Sequence, residues 1–196
     1  MKIDKMRQTE TEAVSQLVVN AFYSKFSEKT DLSKERLQKI LKLIWLEEAD
    51  QFGLSIYTVK LEEEIVGAFG FSGKQRFSLS LSLIAKVCAV VNSIGVKAFL
   101  SFLRVALQTH RKPNKREWYI DFIVVKEAYR NQSIGHTILS SLEERADQYE
   151  QIDQLSLYVL KGNDRARHLY EKYGFSEKEQ GGIEQYQYMV KNLGHR

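Results

Sequence analysis

The sequence predicts an α/β fold: a mixed, mostly antiparallel central sheet flanked by helices, with an apolar helical insertion between the third and fourth strands. Three observations carry that prediction. Residues 54–61 and 65–71 are strand-like runs joined by Glu62-Glu63-Glu64, the pattern of a β-hairpin. Residues 120–125 form an apolar run that passes through Lys126-Glu127-Ala128-Tyr129 into Arg130-Asn131-Gln132-Ser133-Ile134-Gly135 and then an amphipathic stretch, in the order strand, loop, helix. A second strand-to-helix unit follows, residues 155–160 and then 164–173. Strands that alternate with helices in this way build one sheet with helices packed on it. At 196 residues and 43% hydrophobic content the chain buries one sizeable core, so residues 1–196 are expected to be a single domain.

Each element has a local reason. Residues 2–7 suit a first strand, and 9–26 show helical spacing through Ala13, Leu17, Val18 and Phe22. Thr9-Glu10-Thr11-Glu12 places a cap and acidic charge at that helix start. A second helix is expected over 32–49, capped by Ser33, with Leu37, Ile40, Leu41, Ile44 and Trp45 on one face. After the hairpin, an insertion of about residues 76–113 intervenes before the fourth strand. Its segment 79–108 is mostly apolar and helix-compatible, with Gly95 as the break between two helices and Pro113 as its end. Lys86 and Lys97 interrupt it, and no charge-free window approaches the ~20 residues a membrane span needs. Beyond the fourth strand the order is helix 134–149, strand 155–160, helix 164–173, and a strand pair, 177–180 and 185–190, joined by Gly181-Gly182.

Small residues and free backbone N–H groups at a helix N-terminus can surround a phosphate, so the loop at 130–135 points to a phosphorylated ligand. The segment resembles the GNAT N-acetyltransferases. Their signature is a strand ending in valine, a short link, and Arg/Gln-x-x-Gly-x-Gly/Ala opening a long helix, which falls here on Val125, Arg130, Ser133 and Gly135. Ser133 stands where the first glycine is expected, and serine takes positive backbone dihedrals less freely than glycine. A second stretch resembles the family's later motif: Asn163, Ala166, Tyr170, Gly174 and Phe175 match its asparagine, alanine, tyrosine and terminal glycine-phenylalanine. An amphipathic helix capped by Gly174 accounts for Ala166 and Gly174 without any ligand. It does not account for Asn163.

The resemblance implies an acetyl-CoA-dependent N-acetyltransferase, with acetyl-CoA as co-substrate and direct attack of a primary amine on the thioester. A non-catalytic coenzyme A-binding or regulatory protein on the same fold is the alternative. The pyrophosphate would lie on the backbone of Arg130, Asn131, Gln132, Ser133, Ile134, Gly135 and His136. Ile123, Val124 and Val125, at a splayed end of the fourth strand, would pair with the pantetheine arm. Tyr170 occupies the position of the family's general acid, and a core tyrosine with a satisfied hydroxyl is the competing reading. Asn163 would hydrogen-bond the cofactor arm, cap its helix, or do both.

The base is read from the residues. Asp121 is a carboxylate in an otherwise apolar strand, and strand alternation puts it on one face with Tyr119 and Ile123, opposite Ile120 and Phe122. It serves either as the acceptor's base or as a structural hydrogen-bonding group; Glu117 is a weaker base candidate.

Other classes are excluded or weakened. His136 and His168 have no partners at metal-ligand spacing, so no metal site is expected. A net charge of +4 with widely spread acidic residues gives no case for nucleic-acid binding. The single cysteine, Cys88, reads as an inert core thiol, and the charged N-terminus lacks the apolar core of a signal peptide, so a cytoplasmic location is expected. Arg104, Arg111, Lys112, Lys115 and Arg116 form a basic run, a solvated connector or a face for the 3′-phosphate of coenzyme A. The insertion is an extra helical layer, a cap over the site of a small-molecule or peptide amine acceptor, or a homodimer or membrane-surface contact.

Overall fold

A computed structural model of the chain describes residues 1–73, 80–109, 111–149, 151–179 and 184–194. Residues 76–79 of the expected insertion, and Gln180, Gly181 and Gly182 of the expected last hairpin, lie outside the described residues. The strands are β1 (Lys2–Lys5), β2 (Leu54–Leu61), β3 (Glu64–Ser72), β4 (Glu117–Val125), β5 (Gln154–Leu160), β6 (Ser176–Glu177) and β7 (Tyr186–Asn192). The helices are α1 (Thr11–Ser27), α2 (Lys34–Ile40), α3 (Leu81–Ile94), α4 (Val96–Ala106), α5 (Ile134–Asp147) and α6 (Asp164–Lys172). One sheet takes the strands in the order β1-β2-β3-β4-β5-β7-β6. Only β4 and β5 pair parallel, and α5 supplies the crossover that a parallel pair needs.

Two apolar cores lie on opposite faces of the sheet. On one, Val14 and Val18 of α1 and Leu37 and Ile40 of α2 meet Val90 of α3 and Phe102 and Val105 of α4 over Ala68, Phe122 and Val124. On the other, Ile134, Ile138, Leu139 and Leu142 of α5 cover Val66, Phe69, Leu155, Leu157 and Met189, with Ala166, Leu169 and Tyr170 of α6 packed alongside. Each such side chain stabilises the fold by roughly 1.5–3 kcal/mol when fully buried.

Local chemistry adjusts several predicted boundaries. The α1 helix begins at Thr11, after a 3-10 turn at Gln8–Glu10, because the Glu10 carboxylate turns back to accept the Arg7 backbone N–H at 2.9 Å. Glu10 also takes hydrogen bonds from Lys60 and, at 3.3 Å, from the Thr58 hydroxyl, which ties α1 to β2. The expected helix 32–49 is broken. Ser33 does cap α2, its Oγ accepting from Arg36 N at 3.4 Å, but Leu41–Leu46 continues as a π turn and Ala49–Phe52 as a 3-10 turn. In the insertion Gly95, at φ 85°, ends α3, and α3 and α4 meet at 117°. The α3 helix buries only Leu83 and Val90, which leaves Cys88 exposed and not in the core as its sequence context suggested. No single helix among the described residues is long and apolar enough to cross a membrane.

Candidate active site

Two adjacent strands part at the centre of the sheet. The β4 and β5 strands pair only from Glu117↔Gln154 to Ile120↔Leu157, whereas β4 stays paired with β3 to Val125 and β5 stays paired with β7 to Leu160. The stretch 121–125 therefore has no strand partner on its β5 side, the splayed end that the sequence resemblance implies for Ile123, Val124 and Val125.

A β-bulge lies at the point of parting. Gly70 faces Phe122 and Phe71 faces Ile120, so Asp121 has no counterpart on β3. A bulge bends its strand and raises the local twist. Gly70 permits it, since a Cβ there would come within 2.4 Å of the Phe122 ring. The bulge also corrects the predicted alternation. Trp118 and Ile120 enter the α5/α6 core while Phe122 and Val124 enter the α1/α2 core, so Ile120 and Phe122 point to opposite faces. For the same reason Tyr119 and Ile123 do not share a face; Ile123 and Val125 turn toward α5.

The loop after β4 makes a left-handed turn without a glycine. Asn131 and Ser133 both take the left-handed conformation, at φ 65° and 59°, and Ser133 is the N-cap of α5. Left-handed backbone costs a non-glycine residue roughly 1–2 kcal/mol, so the serine adopts the glycine's shape against a penalty. The first-turn amides of Ile134, Gly135 and His136 have no intrahelical carbonyl to bond. Arg130 donates from Nε to the Val125 carbonyl at 3.4 Å and Gln132 from Nε2 to that of Ala128 at 3.3 Å, which braces the turn. Ile134 is buried and anchors α5. A Cβ on Gly135 would lie 2.8 Å from Leu169 Cδ2, so the glycine lets α5 and α6 approach. His136 packs edge-on against Tyr173, with ring centroids 5.0 Å apart.

At the start of α6, Asn163 caps the helix, its Oδ1 accepting from Ala166 N at 3.2 Å. That bond uses only the carbonyl oxygen and leaves the amide nitrogen available. Tyr170 joins the apolar cluster that includes Ile123 and Val125, 5.8 Å from the Phe175 ring, and burial pushes its hydroxyl up to about 12.

The opposite face carries polar chemistry. Burial pushes the Asp121 carboxyl up to about 7, a hydrogen bond from Ser72 opposing it, and its Oδ2 is buried with no hydrogen-bond partner among the described residues. Tyr119, whose hydroxyl feels the Asp121 charge, begins a row with Tyr158 and Tyr188, with ring centroids 6.2 and 5.2 Å apart in turn. Burial first, and then the Asp121 charge, raise the Tyr119 hydroxyl above the usual phenol range. These tyrosines were absent from the predicted site. Their signal is the strand period, since Tyr158 and Tyr188 face each other in register on β5 and β7 and Tyr158 lies between the buried Leu157 and Val159.

Glu117 proves to be structural. Its buried carboxylate accepts from Arg111 Nε at 3.1 Å, Asn114 N at 3.0 Å, Tyr188 Oη at 2.9 Å and the Ser156 hydroxyl. Burial acts to raise it, but bonds from Asn114, Ser156, Arg111 and Tyr188 outweigh that and hold it below the usual carboxylate range. A base so fully bonded has no lone pair to offer. The basic run is thereby divided: Arg111 serves Glu117 and lies 4.5 Å over the Tyr188 ring, and Arg116 pairs with Asp153 at 2.7 Å. Among the described residues no cluster of His, Cys, Asp and Glu has the makings of a metal site.

The sequence profile of the Acetyltransferase (GNAT) family matches residues 12–175, a span from α1 through α6 to Phe175. No curated protein matches the chain. Solved structures share the fold at low identity. An acetyltransferase aligns at TM-score 0.67 and 21% identity, covering 99% of this chain and 100% of that one. An N-acetyltransferase from Staphylococcus aureus Mu50 aligns at TM-score 0.67 and 17% identity, covering 98% and 100%. The PaiA N-acetyltransferase from Thermoplasma acidophilum, solved in complex with coenzyme A, aligns at TM-score 0.61 and 13% identity, covering 98% of each chain.

Proposed function

Because the chain belongs to the GNAT acetyltransferase family, whose members use acetyl-CoA, we propose that it transfers an acetyl group to a primary amine by direct attack on the thioester. The observation that carries this reading is the parting of β4 and β5 beyond Ile120, next to a left-handed turn at Ser133 and flanked by Asp121 on one face and Tyr170 on the other. Acetyl-CoA supplies the activated acyl group. The amides at the start of α5 hold its pyrophosphate, and the unpaired edge of 121–125 hydrogen-bonds its pantetheine arm and offers an N–H to the developing oxyanion. The Asn163 amide nitrogen steadies the same arm.

The acceptor enters from the face of Tyr119, Tyr158 and Tyr188. Asp121 takes the proton from the attacking nitrogen as the N–C bond forms; a carboxyl near 7 is matched to general-base work at neutral pH. Tyr170, at about 12, is fully protonated there and donates its hydroxyl proton to the departing sulfur as the C–S bond breaks. Calorimetry with acetyl-CoA, followed by thiol release across a panel of amines, tests the reading. Absence of binding at millimolar acetyl-CoA would overturn it. Tyr170→Phe is expected to lower kcat by about a hundredfold with little change in the KM for acetyl-CoA; unchanged turnover removes Tyr170 as the acid.

A further inference from the structure

The helical insertion turns an apolar face away from the body of the protein. Nine large apolar side chains are exposed among the described residues, and five of them, Leu81, Ile84, Val96, Leu100 and Leu107, lie on α3, α4 and the turn Leu107–Thr109. They are ordered and not scattered. On α3, Leu81, Ile84, Ala85 and Cys88 follow helical spacing on the face opposite Leu83 and Val90, and on α4 and the turn after it, Val96, Leu100 and Leu107 lie opposite Phe102 and Val105. Leu81 is 86% exposed and Leu107 59%, too open for residues that serve only to pack a layer. The 117° bend at Gly95 lets both helices lay their inner faces on the same core while both outer faces look outward.

The surroundings of this face are basic. No aspartate or glutamate occurs anywhere between Glu64 and Glu117. Lys97 and Arg104 are exposed on α4 itself. From the body, Lys39 reaches Ser93 at the end of α3 at 3.1 Å, and Lys29 reaches Gln108 after α4 at 3.2 Å. The carboxylates of Glu47 and Glu48 both pair with Lys86 of α3, at 3.0 and 2.6 Å, which offsets one of their two charges and leaves the cations of α4 and the body in excess around the face.

We propose that the outer face of α3 and α4 docks on an anionic lipid surface, its leucines entering the headgroup boundary and its cations pairing with lipid phosphates. An interfacial helix needs this combination of an apolar face and cationic flanks. At 14 and 11 residues neither helix spans a bilayer, so the two lie in its surface. Charge also argues against a second copy as the occupant. A two-fold dimer through this face would set its cations against their own images, whereas an anionic surface complements them. This surface is independent of the acetyl-transfer reading.

Co-sedimentation with phosphatidylglycerol/phosphatidylcholine vesicles at low salt tests the proposal. The chain is expected to partition onto these vesicles, and much less onto phosphatidylcholine alone. Lys97→Gln with Arg104→Gln should weaken partition about thirtyfold, at about 1 kcal/mol for each cation near the surface. Leu81→Ser with Leu100→Ser should abolish it. These side chains are exposed, and an unchanged melting temperature shows that the variants fold. No partition of the wild type at low salt, or partition indifferent to all four substitutions, overturns the proposal. So does a dimer in sedimentation velocity that the leucine substitutions dissociate, which assigns the face to a second copy.

Discussion

The Asp121 carboxyl, pushed up to about 7 by burial against a weaker opposing bond from Ser72, changes charge across neutral pH. Its base form accumulates as pH rises, so kcat/KM is expected to climb through about pH 7 and level off above it. Asp121→Asn should remove that limb and lower kcat/KM by about a hundredfold or more, as a pH–rate profile would show. The same shift acts on stability with the opposite sign. A carboxyl raised from 3.8 in the unfolded chain to about 7 in the fold costs stability progressively as pH rises between those values, and the full cost applies above them. The asparagine variant should therefore melt higher than wild type at alkaline pH and not at acid pH. At Ser133 the penalty is conformational. Ser133→Gly removes a left-handed serine at φ 59°, which should add about 1 kcal/mol and raise Tm by about 2–4 °C while tightening acetyl-CoA in calorimetry.

At the scale of elements, the site depends on β4 being held at one end and released at the other. Glu117 does the holding: it joins β4 to Ser156 on β5 and Tyr188 on β7, and receives Arg111 from the end of the insertion. Just beyond, the bulge at Asp121 turns the strand and the pairing with β5 stops. Glu117→Ala leaves Arg111, Ser156 and Tyr188 without their shared acceptor. It is expected to destabilise the fold by roughly 3–5 kcal/mol in chemical denaturation, far more than a catalytic substitution at Tyr170 would. The approach of α5 to α6 depends in turn on Gly135, whose missing Cβ makes room for Leu169.

For the whole molecule, the buried carboxylates Glu10, Glu48 and Glu117, all held below their usual range, set the response to acid. Glu10, which burial acts to raise and the Arg7 and Lys60 bonds more than offset, stands lowered from 4.5 to about 2, and Glu117 is lowered as well. Depressed carboxylates contribute stability above the unfolded value, and that contribution is lost as pH falls through the folded one. Cooperative unfolding is therefore expected as pH drops from about 4.5 toward about 2, monitored by circular dichroism, and Glu10→Gln should flatten that dependence. The insertion divides the labour of the two faces, closing the α1/α2 core from outside and presenting its own outer side to a surface.

What the residues determined by themselves was local and repetitive. Apolar spacing laid out the hairpin, the two strand-to-helix units and the helix break at Gly95, because each rests on contacts within a few positions of the chain. The loop that opens α5 was legible for the same reason, since a loop-to-helix start is written in consecutive residues. Pairing across the sheet was not. The register of Gly70 against Phe122 creates the bulge, and the bulge reverses the facing of Ile123; a period-2 reading of β4 alone has no access to either. Only the assembled sheet lines up Tyr119, Tyr158 and Tyr188, turns Glu117 from a candidate base into an anchor, and leaves Cys88 outside the core. Those outcomes depend on distances between residues far apart in the chain, which side-chain packing and strand registry decide and local propensity does not.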